Sequence, residues 1–312
     1  MSKYLVTGGA GFIGSNISKA LVEDGHEVTI LDNLATGKKE NLSAIMKKVR
    51  FIEGDIRDIN TVSKAVKGIE FVLHQGALPS VQRSVKDPSS SNEANVQGTM
   101  NILIASRDSG VKRVVYAASS SAYGDTPTLP KIENMKEMPL SPYAVSKLTG
   151  ELYCRVFSRI FGLETICLRY FNVFGPNQDP TSQYSAVIPR FITAFLRNEA
   201  PTIYGDGRQS RDFTFVENVV SANILASKAK SKEAIGRTMN IACGEAFSLN
   251  DIIKMLNEIA GTNIKPKYDK ARLGDVKHSL ADINLAGKLI GYKPKVRFKE
   301  GLRRTFGWYG RK

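Results

Sequence analysis

Tyr143-Ala-Val-Ser-Lys147 sets a phenol and an ammonium four residues apart, and on a helix such a pair shares one face. A free phenol titrates near pH ~10, too high to accept a proton readily at neutrality. An ammonium ~4 Å away, at an effective dielectric of ~20, favours the phenolate by ~4 kcal/mol. At ~1.4 kcal/mol per unit that lowers the phenol by up to ~3 units, less what desolvation takes back. The pair is therefore expected to take the proton of an alcohol near neutrality. Tyr-x3-Lys is common on exposed helices, so this reading depends on what surrounds it.

A second constellation lies near the start of the chain. Thr7-Gly8-Gly9-Ala10-Gly11-Phe12-Ile13-Gly14 follows a short apolar strand and opens a helical pattern. Glycines there let the backbone turn tightly and approach a pyrophosphate seated on the helix N-terminus. Asp32 ends the second strand, where a carboxylate accepts ribose hydroxyls and repels a 2′-phosphate; this selects NAD over NADP. Gly54-Asp55-Ile56-Arg57 ends the third strand. Asp55 is placed to bond an adenine amino group and Ile56 to flank the ring, with a plain helix cap as the alternative for Asp55.

Strand-like runs at residues 3–7, 27–31, 49–53, 71–74, 113–117 and 164–169 alternate with helical stretches at 13–24, 61–67, 92–109 and 142–161. That alternation predicts an α/β fold, a Rossmann-type doubly wound parallel sheet. After Arg190 it breaks down into short strands at 202–204 and 238–242, helices at 219–229 and 249–260, and Pro/Gly-rich loops. We expect an NAD-binding domain over 1–175 and a smaller C-terminal α/β lobe over 176–312, mainly for substrate, with the chain free to cross back.

The 312 residues are 42% hydrophobic and carry a net charge of +14. Lys and Arg are scattered, with small clusters at Lys38-Lys39, Lys47-Lys48 and Arg303-Arg304 and no aromatic interleaving. This argues against a nucleic-acid partner and for attraction of an anionic nucleotide. No apolar run approaches the ~20 residues of a membrane span, and nothing at the N-terminus reads as a targeting segment. A cytoplasmic protein is expected. Cys154, Cys167 and Cys243 match no metal spacing and read as reduced, packed thiols.

Together these residues resemble the extended short-chain dehydrogenase/reductase family, and within it the nucleotide-sugar 4-epimerases. The landmarks run nearly end to end: Gly8-x2-Gly11-x2-Gly14, Asp32-Asn33, Asp55-Ile56, His74-Gln75-Gly76-Ala77, Asn95-x2-Gly98-Thr99, Ser119-Ser120-Ser121-Ala122-Tyr123-Gly124, Tyr143-x3-Lys147, Arg169-Tyr170-Phe171-Asn172 and Arg272-Leu273-Gly274-Asp275. The resemblance implies NAD held by these motifs, with Phe12, Ile13, Asn33, Gln75, Gly76, Ala77, Asn95, Tyr170 and Val173 beside it. It implies that Ser119 bonds the reacting hydroxyl and relays its proton to Tyr143, and that Lys147 also holds the nicotinamide ribose. It implies Ser121 as a further catalytic residue, and Ser120 beside it against the substrate. Two departures stand out. Gly76 replaces the usual alanine, which is expected to loosen packing beside the cleft. Thr36-Gly37 replaces polar side chains against the adenosine ribose, where backbone N–H groups can serve instead.

Relatives that dehydrate or decarboxylate the sugar carry an acid where this chain has Ser121, and a serine without its own base moves protons poorly. The implied reaction is then epimerisation: hydride leaves carbon 4 for NAD, the 4-keto sugar rotates, and the same hydride returns to its other face. By resemblance Arg211 and Arg272 grip the pyrophosphate, and Asn172 reaches its sugar side. Val187, Ile188 and Tyr204 frame uracil, and Asp275 holds the uridine ribose. Ser279 stands at the position that limits sugar size, and a small residue there leaves room for a 2-acetamido group near Gln178. The expected substrate is UDP-N-acetylglucosamine/UDP-N-acetylgalactosamine, with UDP-glucose/UDP-galactose as a second activity. Rival readings are a UDP-glucuronate epimerase or decarboxylase using Arg83 or Arg190 as its cation, and a non-catalytic NAD sensor or nucleic-acid binder. A homodimer is implied through helices 92–109 and 142–161, although Leu148, Leu152, Val156 and Ile160 equally suit an internal face.

Overall fold

The segments Lys3–Thr7 and Phe71–His74 bury nearly every side chain, so both faces of the strands they form must be covered. The computed structural model describes residues 1–180, 186–270 and 277–311. In chain order the first part runs β1 (Lys3–Thr7), α1 (Phe12–Glu23), β2 (Glu27–Asp32), β3 (Val49–Glu53), α2 (Ile59–Val66), β4 (Phe71–His74), α3 (Val81–Lys86), α4 (Pro88–Asn92), α5 (Gly98–Asp108), β5 (Arg113–Ser119), α6 (Pro142–Phe161) and β6 (Glu164–Tyr170). The second part adds β7 (Val173–Phe174), α7 (Val187–Leu196), β8 (Thr202–Tyr204), β9 (Ser210–Arg211), β10 (Thr214–Phe215), α8 (Val216–Ser227), β11 (Thr238–Ile241), β12 (Phe247–Ser248), α9 (Leu249–Ala260), β13 (Lys267–Asp269), α10 (Asn284–Ile290) and α11 (Phe298–Tyr309).

Seven strands form one parallel sheet in the order β11-β6-β5-β4-β1-β2-β3. The order reverses between β1 and β4, and ligands of doubly wound sheets sit at the carboxyl ends of strands flanking such a switch. The register pairs Thr7 with His74, so Gly8 and Gln75 leave the sheet side by side. One face is covered by α1, α8 and α10, packed through Ile17, Leu21, Val219, Ala222 and Leu289. The other is covered by α2, α5 and α6 through Val62, Ile102, Leu103, Cys154 and Phe157. A separate aromatic core, with Phe174, Phe213, Phe215 and Phe298 at its centre, holds the smaller lobe.

Strand 238–242, grouped from the sequence with that lobe, proves to be the seventh strand of the main sheet, paired with β6. Its preceding helix packs on the sheet as well, so the chain does cross back. The helix expected over 92–109 is interrupted. α4 and α5 are joined by a π-helical stretch, Glu93–Gln97, which inserts extra backbone into the turn carrying Asn95. All three cysteines are buried and unbridged. Among the described residues no helix is long and apolar enough to cross a membrane.

Candidate active site

The helix that carries Tyr143 and Lys147 is capped at both ends. The Ser141 hydroxyl accepts from Ala144 N, Pro142 occupies the first turn, and Gly162 closes the far end in the left-handed region. Ser84 of α3 accepts from Tyr143 N at 3.0 Å, fixing where that first turn begins. Gly150 lets the helix lie against β5, since a Cβ there would fall 2.2 Å from the Tyr116 hydroxyl.

Tyr143 and Lys147 face the same cleft, as their spacing predicts, but their electrostatics differ from expectation. The buried Lys147 ammonium donates to the Ala117 carbonyl at 2.8 Å and lies 5.0 Å from the centre of the Tyr116 ring. Burial holds it down at about 8, partly offset by the Glu151 carboxylate one turn further along α6. Burial also raises the Tyr143 phenol, while a hydrogen bond with Ser119 works the other way. The lowering expected from Lys147 is thus not realised here: burial dominates at the phenol, and the ammonium is engaged by Ala117. What favours the phenolate is a hydroxyl relay. Ser121 Oγ donates to Ser119 Oγ at 2.8 Å, and Ser119 meets the phenol.

A buried rail fixes the loops around this centre. Thr99 Oγ1 donates to Asn95 O at 2.6 Å, so it must accept from His74 Nε2 at 3.0 Å, and His74 Nδ1 then accepts from Thr7 Oγ1 at 2.6 Å. Burial, with the Lys147 cation adding to it, holds the His74 imidazole down at about 3 and therefore neutral. Thr7 Oγ1 also accepts from Gly76 N at 3.0 Å. Asn95 grips the next loop through Leu78 N and O, at 2.7 and 3.2 Å, and donates to Ser146 Oγ.

At the sheet's switch point a cleft is lined by Gly8, Gly11, Phe12, Ile13, Gly14, Gln75, Gly76, Ala77 and Tyr170, and at its far end by Asp32, Asn33, Asp55 and Ile56. Tyr143 and Lys147 close its near end. A Cβ on Gly14 would fall 2.1 Å from Gly8 O, and one on Gly8 2.8 Å from Gly76 Cα; only glycine allows this approach. At Gly76 itself a Cβ would come 3.1 Å from Thr7 Oγ1 and 3.4 Å from Gly8 N, so the two strand ends already pack closely there. Asp32 is held by Ala10 N and Leu34 N at 2.9 and 2.8 Å, with lone pairs to spare for a ribose. Gly37 lies against it, where a Cβ would come 3.0 Å from Asp32 Oδ1. These residues fit an NAD. Asp55 is already engaged: Arg57 and Asn33 bond its carboxylate, and the Arg57 hydrogen bond holds it down at about 2. Asn95 and Val173 lie outside this cleft, Asn95 acting through the Leu78 loop.

A second, continuous groove starts at Tyr143. Its inner part is walled by Ser119, Ser120, Ser121, Tyr123, Asn172, Val173 and Ser279. Its outer part is walled by Val187, Ile188, Arg190, Tyr204 and Phe191, and Arg211 borders both. Asn172 Nδ2 donates to Ser279 Oγ at 3.2 Å and to Asp212 O at 2.9 Å. The Asp212 carboxylate accepts from Cys243 N, Gly244 N and Ala281 N, while Arg211 donates to the carbonyls of Ser210 and Lys277. Arg190 stacks over Tyr204 at the outer end. Among the described residues, Gln178 lines no part of the groove; its amide donates to Val173 O, and its buried Oε1 meets no partner among them. Arg272 and Asp275 lie outside the described residues. Sequence reasoning missed Gln82, on the short helix α3, and Lys131, both in the inner wall. A lysine in a Pro-rich loop carries no signal of such a place.

The chain also resembles known proteins over nearly its whole length. The model of the NAD dependent epimerase/dehydratase family matches residues 4–242. A putative UDP-glucose 4-epimerase of Methanocaldococcus jannaschii is 41% identical over 97% of both chains. The UDP-N-acetylglucosamine 4-epimerase of Methanobrevibacter ruminantium M1, solved with UDP-N-acetylmuramic acid, is 41% identical with a TM-score of 0.93, covering 99% of this chain and 98% of that one. A UDP-glucuronic acid 4-epimerase mutant of Bacillus cereus, solved with a fluorinated UDP-glucuronic acid and NAD, is 33% identical with a TM-score of 0.92 over 99% of both. With the glycine cradle, the switch-point cleft and the Tyr143–Lys147 centre in place, the chain belongs to the NAD-dependent epimerase/dehydratase family.

Proposed function

We propose that the protein is a 4-epimerase of UDP-hexoses, acting on UDP-N-acetylglucosamine and UDP-N-acetylgalactosamine and, second to them, on UDP-glucose and UDP-galactose. The observation that carries this reading is the meeting of two clefts at Tyr143, one fitting a dinucleotide and one running past Ser279 to Arg211. Bound NAD supplies a hydride acceptor that is regenerated within the same turnover. Tyr143 takes the proton of the 4-hydroxyl and returns it. Ser119 and Ser121 bond the oxygen that changes charge, and Lys147, at the near end of the dinucleotide cleft, holds the nicotinamide ribose. Ser121 stands where dehydrating and decarboxylating relatives need an acid, which favours epimerisation. The small Ser279, tied back by Asn172, leaves the sugar end open to a 2-acetamido group.

The outward face of α6 supports a homodimer. Val145, Leu152, Val156 and Ile160 are 49%, 47%, 43% and 69% exposed, an apolar stripe facing water rather than the core. A cytoplasmic setting agrees with three unbridged thiols. The direct test is incubation of the purified protein with UDP-N-acetylglucosamine, no NAD added. The galacto epimer should form; if neither N-acetylated nor plain UDP-hexose is epimerised by NAD-loaded protein, the reading fails.

A further inference from the structure

Lys131 stands in the wall of the sugar end of the groove, together with Ser119, Ser121, Tyr143 and Ser279, and nothing in the reaction above uses it. The residue is 2% exposed. Its ammonium donates to the carbonyl and hydroxyl of Thr126, and no carboxylate among the described residues lies within ion-pair distance of it. Three N–H donors thus meet two neutral acceptors. A lysine buried to this degree is nearly always paired, because an ammonium taken out of water without an anion is costly. Burial lowers its proton affinity accordingly, with Asp125 only partly offsetting the loss.

The backbone around it is rigid. Lys131 N donates to Leu280 O at 2.7 Å, and Lys131 O accepts from Asp282 N and Asn240 Nδ2 at 2.9 and 3.0 Å. These bonds pin Lys131 beside Ala281, two residues past Ser279. Anchoring Thr126 needs only a neutral donor; the charge needs another reason. The groove also separates its cations. Arg190 lies at the nucleotide end and Arg211 at the junction, where a pyrophosphate would pass, whereas Lys131 belongs to the inner part alone.

We propose that the inner groove also takes a UDP-hexose bearing a carboxylate, and that Lys131 is the specificity determinant that receives it. The proposal rests on the UDP-sugar reading above and extends it beyond the neutral hexoses. A carboxylate at this point satisfies the third donor and replaces the hydration that burial removed. An acid at carbon 6 and an acid on an ether arm of the ring offer the same chemistry.

Two ligand pairs separate these sources: UDP-glucuronic acid against UDP-glucose, and UDP-N-acetylmuramic acid against UDP-N-acetylglucosamine. Affinities are measured by calorimetry on NAD-loaded wild type, Lys131→Gln and Lys131→Arg, with UDP as a control. Lys131→Gln should weaken an acid-bearing ligand by about tenfold or more while leaving its neutral counterpart and UDP within about twofold. Lys131→Arg should keep most of the acid's affinity. Equal loss for acid, neutral sugar and UDP would make Lys131 a phosphate or structural contact and overturn the proposal, as would no change at all. Should Lys131→Gln not fold, the wild type alone decides. In at least one pair the acid must bind as tightly as its neutral partner, and acids bound about tenfold more weakly in both pairs would end the idea. Epimerisation of the neutral sugars is assayed separately, so failure of the functional reading shows as lost turnover with the affinity difference intact.

Discussion

Glu151 and Arg169 form a two-pronged ion pair in the core, with Nε to Oε1 at 3.0 Å and Nη2 to Oε2 at 2.7 Å, and neither residue is more than 1% exposed. Glu151 lies one turn past Lys147 on α6, on the side away from Tyr143. Arg169 in turn reaches Glu137 and covers the Tyr123 ring. The pair therefore places a fixed negative charge behind the active-site ammonium, balanced so that it does not capture that ammonium outright.

Lys147 loses its proton near pH 8, so turnover should decline on the alkaline side. Burial takes its proton off, while Glu151 and, less, Cys154 on α6 hold it on; Tyr143, Tyr116 on β5 and His74 on β4 also face it. Glu151→Gln should shift the alkaline limb of the kcat/KM profile to lower pH, and an unmoved limb would show that Glu151 is structural only. Stability runs the other way. Because folding lowers the Lys147 value from 10.5 to about 8, the unfolded chain binds more protons in that window. The penalty is full below it and relieved as pH rises through it.

Tyr143→Phe removes the proton acceptor and leaves the dinucleotide cleft intact. Turnover should fall by about 10²–10⁴-fold, with NAD still retained through purification. Normal turnover in this variant would remove the mechanism.

Gly14→Ala drives a methyl group onto Gly8 O. Overpacking of this kind costs about 1–3 kcal/mol, so the melting temperature should drop and NAD should be absent from the purified protein. Retention of NAD at wild-type stoichiometry would contradict the cradle described for Gly8, Gly14 and Gly76.

The cofactor half was legible because its constraints are local: Gly8, Gly14 and Asp32 all lie within one strand–helix–strand unit, β1 to β2. Strand 238–242 was misplaced because Thr238-Met-Asn-Ile241 pairs with β6, far away in sequence, and four residues carry no address for a sheet. The phenol's raised value was hidden because spacing reveals a charged neighbour but not burial. Lys131 was invisible for the same reason, as was the π-helical turn at Asn95, which leaves the pattern of apolar residues intact.

Ser279→Tyr fills the inner groove beside Asn172. The kcat/KM ratio of UDP-N-acetylglucosamine to UDP-glucose should fall by about tenfold or more, a difference near 1.4 kcal/mol. An unchanged ratio would place the size limit elsewhere.

Ile160→Glu puts a charge in the apolar stripe of α6. If that stripe joins two copies, light scattering should show a dimer for the wild type and a monomer for the variant. Identical masses would refute the interface.

The interleaving of the chain has a consequence for how the molecule comes apart. After β6 the backbone enters the aromatic lobe, returns to the sheet with α8 and β11, leaves again through α9, and comes back for α10 before ending in α11. Neither core is made of one uninterrupted segment, so neither is available as an excisable fragment. Heating should melt both in a single cooperative transition, and a nucleotide held in one should protect the other.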